Sequence, residues 1–389
     1  MATVDRESEA QAAGDVATRL ATAPFVRIVA RADGDGVAAA GVLARALAAE
    51  GVPFQVTTGR TAADRAARAR AGVDGETLLA GAAPAPGEAI ELPDATGTVP
   101  LSVRAWRVAD DLLDDRGERS GIATLALAGA VAAGVTPGAA GTAPLSEAVD
   151  PERRPGVVTP TTAVDGLAHS TLVHGPFSGS PERVRETLGP VASPEDAEAA
   201  RGLASATALT ALNADGATAA AADAVERALR PRVAGPLETV GGYADVLDAA
   251  ARESPGAAVA LALGHDAREP ALTAWREHGR RAHEAVRTAA TSRYDGLLAV
   301  RVDRAPAATV ARLTAAYRSP EPVVAVVADG AAAAAVRPDV ADAPELGRAI
   351  RAALDGEAAV DTASRPAVAR LPETTEPTAF VAGLREALS

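Results

Sequence analysis

Residues 25–40 read F-V-R-I-V-A-R-A-D-G-D-G-V-A-A-A, and no other stretch of the chain restricts its possible folds as much. Residues 25–30 are a short apolar run with the β-branched content of a buried strand. A tight turn follows, in which two carboxylates, Asp33 and Asp35, are spaced by glycines. Helix-forming residues then run from 37 to 50, and Gly51 ends them. Two carboxylates at i and i+2, at the carboxyl end of a strand in an α/β unit, can both reach one divalent ion.

The alternation of strand and helix patterns continues. Strands are expected at 54–58, 77–80 and 89–92, with a polar Arg/Ala stretch at 61–72 and a Pro/Gly-rich loop at 81–87. Amphipathic helices are expected at 100–114 and 121–133, which together predict a mostly parallel sheet covered by helices. Residues 134–163, rich in Gly, Pro and Thr, read as a linker-like excursion. A β-like piece at 170–173 leads into a Gly-bounded loop containing His174 and Ser178. Residues 181–292 read as predominantly helical. Beyond them the β/α pattern returns, with strands at 297–302, 323–328 and 331–336 and helices at 344–354 and 377–388. The expected organisation is a flexible leader (1–22), a parallel-sheet α/β domain (23–185), a helical connector (186–295) and a smaller C-terminal α/β domain (296–389).

Composition narrows the setting. At 389 residues the chain can hold two or three domains with their own cores. That core must be built from Ala, Val and Leu, because the sequence has four Phe, two Trp and one Met. Its formal charge is −13, from 51 acidic and 38 basic residues, and every basic residue is Arg. An acidic surplus without Lys or Cys fits the cytosol of a halophile, where the Debye length shrinks to about 3 Å and self-repulsion is screened. GC-rich codon usage with an ordinary acidic surface is the alternative. The absence of Cys excludes disulfides, thiolate metal sites and Cys nucleophiles. The acidic, polar residues 1–15 do not read as a signal peptide, and the apolar run 125–135 is too short to span a membrane. A soluble cytoplasmic protein without membrane partners is expected.

The strand, the sequence Asp33-Gly34-Asp35-Gly36 and the small-residue helix after it resemble the first motif of the DHH phosphoesterases, the superfamily of the RecJ exonucleases. Other phrases support the likeness. Residues 125–134 resemble the helix of the family's fourth motif. Glu238-Thr239-Val240-Gly241-Gly242-Tyr243 and 257–264 look like the connector of archaeal RecJ-like proteins, and 323–327, Ala335-Val336-Arg337 and 380–388 follow the layout of the DHH-associated domain. The resemblance implies a DHH-like α/β domain, a helical connector and a C-terminal associated domain. It also implies two Mn²⁺ or Mg²⁺ ions that activate a water and neutralise a phosphodiester.

Carried over position by position, that ligand set is incomplete. Asp33 and Asp35 are present, but the first-motif His is Arg31. Where an Asp belongs after the strand at 77–80 the chain reads Gly81-Ala82, and Gly134 stands where the last Asp belongs. Asp94-Ala95-Thr96 keeps the first member of the Asp-His-His triplet and neither His, and Asp355-Gly356-Glu357-Ala358 replaces a glycine-rich, His-containing loop. Asp33, Asp35 and Asp94 are therefore the remnant metal site, able to hold at most one ion loosely. Arg31 is placed to supply a cation to Asp33 or Asp35 instead. Arg337 stands where the associated domain carries a phosphate-binding Arg, and the loop with His174 and Ser178 is a candidate ligand contact or a plain structural turn.

The remaining candidates carry less. The five His (169, 174, 265, 278, 283) show no metal spacing, and His278 and His283 read as solvated within an Arg-rich helix. The Arg-rich stretches 65–70 and 276–287 hold the charge to meet phosphate but lack interleaved aromatics for stacking on single strands. Three functions follow from the resemblance. The first is a catalytically degenerate RecJ-like scaffold or DNA-associated subunit, similar to the eukaryotic cell-division-cycle relative that joins the GINS complex and the MCM helicase. The second is an active Mn²⁺-dependent single-strand exonuclease or small phosphodiesterase. The third is a nucleotide-sensing module.

Overall fold

A computed structural model of the chain describes residues 2–388 except 73, 83–88, 93–98, 114–115, 341–344, 355–359, 362–365 and 373. Helix α1 (Ala2–Ala21) leads into β1 (Val26–Arg31), α2 (Gly34–Ala49), β2 (Phe54–Gly59), α3 (Ala62–Arg70), β3 (Glu76–Ala80) and β4 (Ile90–Glu91). Next come α4 (Leu101–Leu112), α5 (Arg116–Ala132), α6 (Ala143–Val149), β5 (Glu152–Arg153), α7 (Ala163–His169), α8 (Pro181–Leu188), α9 (Ala197–Leu212) and α10 (Ala221–Ala228). The chain continues through β6 (Arg232–Val233), α11 (Val240–Glu253), α12 (Pro255–Ala262), α13 (Arg268–Thr288), β7 (Ala290–Tyr294), β8 (Leu297–Arg301) and α14 (Ala307–Tyr317). It ends with β9 (Val323–Ala328), β10 (Ala331–Val336), α15 (Leu346–Ala353), β11 (Val360–Asp361), β12 (Ala367–Arg370) and α16 (Pro377–Leu388). Two compact units result: Met1–Arg153 with Arg232–Trp275, and Arg154–Pro231 with Arg276–Ser389.

In the first unit four strands form a parallel sheet in the order β2-β1-β3-β4, and β5 and β6 pair antiparallel as a separate two-stranded sheet. Helix α2 is the axis of the unit. Every residue from Gly34 to Ala44 is buried, as a helix apolar on all sides must be. Small residues make that possible. A Cβ on Gly41 would stand 2.7 Å from the Ala262 Cβ, and one on Gly34 would stand 2.7 Å from the Ala132 Cβ. The segment expected to be a flexible leader is helical, and its Ala13, Ala17 and Leu20 enter this core.

The second unit holds a six-stranded sheet, β11-β12-β10-β9-β8-β7, in which only β8 and β9 run parallel. Period-two alternation splits the strands between two cores. Leu298, Val300, Val324 and Val326 join one, and Leu297, Ala299, Val323, Ala325 and Val327 join the other. Burial on both faces accounts for a strand as uniformly apolar as V-V-A-V-V-A. Asp295-Gly296 and Asp329-Gly330 close the β7–β8 and β9–β10 hairpins, with the glycines at φ 77° and 69°.

Several local expectations change. The polar stretch at 61–72 contains helix α3, started by a reciprocal cap between Thr61 and Asp64. The linker-like excursion contains α6 and β5. Residues 170–173 are not a strand. Arg312 holds the Thr171 carbonyl at 2.9 Å and the Tyr317 hydroxyl holds that of Leu172 at 3.0 Å, so side chains replace a ladder.

Glycine substitutions separate tight from open positions. A Cβ on Gly36 would stand 2.3 Å from the Arg31 carbonyl oxygen, whereas one on Gly202, in α9, meets nothing within 4 Å. Gly36→Ala is expected to destabilise the protein by about 3 kcal/mol. Gly202→Ala is expected to stabilise it by about 0.5 kcal/mol or more, because helix interiors favour Ala over Gly. Denaturant titration in molar KCl reads both.

Candidate functional site

Strand β1 delivers Arg31 to the carboxyl edge of the parallel sheet, and the turn after it starts α2. Asp33 is the N-cap in extended backbone (φ −143°, ψ 176°), and its Oδ1 accepts from the Gly36 amide at 2.9 Å. Asp35, one turn in, serves a different helix. Helix α4 begins after Pro100, which has no side chain to cap it. Asp35 supplies the acceptors instead, taking bonds from the Leu101 amide at 2.9 Å, the Ser102 amide at 2.9 Å and the Ser102 hydroxyl at 2.7 Å. The Arg31 guanidinium lies between the two acids, with Nε donating to Asp33 Oδ2 and Nη2 lying 3.5 Å from Asp35 Oδ2. All three residues are buried. Burial pushes the Asp35 carboxyl up from its ordinary value, while Arg31 and Ser102 pull it back.

More charge surrounds this triad. Asp248 of α11 accepts from the Gly34 amide at 3.0 Å and pairs with Arg252 at 2.8 Å. The Gly34 and Gly36 amides at the start of α2 are thus capped by Asp248 and Asp33. Arg65 is fully buried and donates to the carbonyls of Gly59 (3.3 Å) and Ala82 (3.1 Å). Gly81, at φ 133°, lies beside both arginines: a Cβ there would stand 3.1 Å from the Arg31 Cβ and 3.4 Å from the Arg65 Nε.

These donors do not fit a divalent ion. Each of the four oxygens of Asp33 and Asp35 already accepts from an amide, a hydroxyl or a guanidinium. A permanent positive charge stands where the ion would have to be. Among the described residues no group of three or more His, Asp or Glu could hold a metal. Asp94 and residues 355–358 lie outside the described residues. Gly134 has a backbone task, ending α5 at φ 84° while its amide donates to the Val131 carbonyl at 2.9 Å.

The other expected site residues are in the second unit. Arg337 leaves the end of β10 and donates to Asp339 at 2.6 Å and to the Pro320 carbonyl at 3.0 Å. Ser178 is fully buried, and its hydroxyl closes the 175–178 turn by accepting from the Gly175 amide at 3.2 Å. His174 is buried with its Nδ1 at 3.0 Å from the Nδ1 of His283. The expectation that His278 and His283 are solvated is overturned, since they are 1% and 0% exposed. They lie on the inward side of α13. His278 Nε2 meets the Thr309 hydroxyl at 2.8 Å, and His283 Nε2 meets the Ser170 carbonyl at 3.0 Å. That carbonyl can only accept, so in the neutral pair His283 Nδ1 is the acceptor and His174 Nδ1–H the donor. Burial, then Arg318 and Arg287, hold His174 down to about 3. Burial and His174 hold His283 well below its ordinary value.

The Arg-rich stretch of α13 is engaged too. Arg276 pairs with Asp165 at 2.9 Å, Arg280 with Glu277 at 2.8 Å and Arg287 with Glu284 at 2.7 Å. Burial works to raise the Asp165 carboxyl, but bonds from His169, Arg276 and Thr161 win and hold it well below the carboxylate range. Sequence reasoning missed Asp165, Ser102 and Asp248, and it read Arg65 as part of a phosphate-facing stretch rather than as a buried donor to backbone carbonyls. For Asp248 the only local signal was Arg252 four residues on, and its bond to Gly34 spans 214 positions.

Two outcomes follow. Arg31→Met should destabilise the protein by about 3 kcal/mol in denaturant titrations, because it leaves two buried carboxylates without their cation. The His174–His283 pair should make the protein acid-sensitive. Both rings are neutral when folded and protonate near 6.5 when unfolded, so stability is lost as pH falls below about 6.5. Two such groups give a slope of about 2.7 kcal/mol per pH unit. That slope should persist until His174 itself protonates at about 3. Urea titrations from pH 7 to 4, beside a His174→Gln, His283→Gln variant lacking most of that slope, check it.

Known proteins place this geometry. A crystal structure of exonuclease RecJ bound to manganese matches with a TM-score of 0.51 at 15% identity, covering 98% of this chain and 94% of that one. RecJ from Thermus thermophilus in complex with Mn²⁺ matches at 0.54 and 17%, over 98% of this chain and 54% of that longer one. CDC45 from Entamoeba histolytica matches at 0.55 and 10%, over 94% and 95%. Identities this low show the fold alone, which is that of the RecJ/DHH superfamily. The family model "Uncharacterized protein rrnAC1427, C-terminal domain" matches residues 289–386. The protein rrnAC1427 of Haloarcula marismortui is 44% identical over 408 residues, covering all of both chains. The chain therefore belongs to the rrnAC1427 family, on a RecJ/DHH-like fold.

Proposed function

We propose that this chain is a catalytically degenerate RecJ-like protein, acting as a scaffold or DNA-associated subunit in replication or repair. The observation that carries it is the Arg31 guanidinium held between Asp33 and Asp35. Metal-assisted phosphodiester hydrolysis needs carboxylates open to an ion and a water on that ion. Here both carboxylates are bound to a side-chain cation and to the amides that start two helices. The likeness to CDC45 covers nearly the whole chain and is compatible with a replication subunit on the same fold. Partners on this view are replication or repair proteins of the GINS and MCM kind, or single-stranded nucleic acid. The acidic, lysine-free composition and the Haloarcula relative support a salt-rich cytoplasm as the setting.

The test is Mn²⁺-dependent release of nucleotides from an end-labelled single strand in molar KCl. The wild-type protein and an Asp33→Ala variant should release nucleotide equally slowly, at the rate without enzyme. Removing one ligand from a working metal site costs orders of magnitude in rate. Robust release that vanishes with Asp33→Ala would establish the exonuclease reading instead.

A further inference from the structure

Most arginines in the second unit that face the surface have a carboxylate. Arg230 has Glu226, Arg280 and Arg281 have Glu277, Arg293 has Glu321, and Arg348 has Glu345. Three do not. Arg312 of α14 donates only to Thr171, through Nη1 to its carbonyl at 2.9 Å and Nη2 to its hydroxyl at 2.8 Å. The guanidiniums of Arg318, at the end of the same helix, and of Arg227, in the last turn of α10, make neither ion pair nor hydrogen bond among the described residues. Arg312 and Arg318 are half-buried. A cation drawn partly out of water without an anion is costly, and in a chain of net charge −13 acids are plentiful.

These guanidiniums act on one small region. Arg312 holds Thr171, the Tyr317 hydroxyl holds the neighbouring Leu172 carbonyl, and the His174 ring lies edge-on to the Tyr317 ring at 6.0 Å. The Tyr317 hydroxyl, raised by burial, is drawn back by Arg312 and Arg227, and His174 feels Arg318. Gly216 lies beside Arg318, and a Cβ there would stand at ordinary contact, 3.6 Å, from its Nε. Helix α10 packs on α14, and Arg227 of α10 acts on the Tyr317 hydroxyl of α14. Arg312 is fixed in advance by its two bonds to Thr171, and Arg227 and Arg318 are unspent.

We propose that Arg227, Arg312 and Arg318 form an anion site in the second unit that takes phosphate groups, either free or in a single-stranded nucleic acid. Guanidinium forks match phosphate oxygens in pairs, and an arginine anchored by its neighbours loses little freedom on binding. The neutral His174–His283 pair beneath adds no competing anion. The site shares no residue with the Arg31 cluster of the first unit, so its failure would leave the degenerate-enzyme reading untouched, and the reverse also holds.

The experiment is calorimetric titration of the full-length protein at constant KCl with pyrophosphate, with a dT oligonucleotide and with poly-glutamate. Pyrophosphate should bind the wild type, and Arg318→Gln should weaken it about tenfold or more, the loss of one charge-assisted contact. Arg312→Gln, checked for folding by circular dichroism, should weaken it similarly. If the oligonucleotide competes with pyrophosphate, the phosphates belong to a strand. If it does not compete, the site takes free phosphate. Binding of none of the phosphate probes, binding of poly-glutamate alone, or equal pyrophosphate affinity in wild type and Arg318→Gln would overturn the proposal.

Discussion

Two carboxylates buried within two residues of each other at the end of a strand repel, and a cation held between them offsets that repulsion. Arg31 provides one from the last residue of the same strand. Much of the first unit's geometry hangs on that arrangement. Asp33 fixes the start of α2, Asp35 fixes the start of α4, and the guanidinium holds both to the edge of β1. A divalent ion could organise the same carboxylates, but it would exchange with solvent and answer to chelators. A guanidinium is covalently attached and charged at every pH the fold survives. The junction is therefore closed by the chain's own atoms.

Around that junction the packing is done by alanine and glycine. Few aromatic side chains are available, and the bulkiest fully buried one is Trp275, whose indole N–H reaches Asp245 at 2.7 Å. Helices faced with small residues approach one another closely, and their stability comes from many weak contacts rather than a few aromatic anchors. Such packing is unforgiving where backbone meets backbone. Gly36 lies against the Arg31 carbonyl, so the glycine and the arginine of the motif are sterically coupled as well as adjacent in sequence.

The first strand, turn and helix were legible because each carried a local cue: a β-branched run, Asp as N-cap and Gly51 as terminator. The strand pairs β8–β9 and β9–β10 were legible from apolar runs bounded by turns. Strand β7, A-T-S-R-Y, was missed because its exposed residues carry no hydrophobic alternation. The Asp295-Gly296 turn beside it was nonetheless a hairpin signal that could have been read. His278 and His283 were misread because arginines surround them in sequence. The helix turns those arginines outward to glutamates and the imidazoles inward, a separation of faces visible only at 3.6-residue spacing. At the site, Arg31 was readable from position alone. Ser102 and Asp248 were not, since their bonds to Asp35 and Gly34 span 67 and 214 positions.

The distribution of arginine partners bears on function more directly than net charge does. At the carboxyl edge of the parallel sheet, Arg31 and Arg252 are bound to carboxylates and Arg65 to backbone carbonyls. An incoming phosphate would have to displace ligands covalently held at high effective concentration, and it would find the amides of α2 already capped. In the second unit the balance differs, because among the described residues the Arg227 and Arg318 guanidiniums have no carboxylate partner. A chain of this acidity, in salt that screens long-range attraction, gains little from diffuse positive charge. It can still bind an anion where a few guanidiniums are fixed at short range, since contact-distance hydrogen bonds are screened far less than steering over a Debye length. On the function proposed above, phosphate recognition would fall to the second unit, as a DNA-associated subunit without nuclease activity requires.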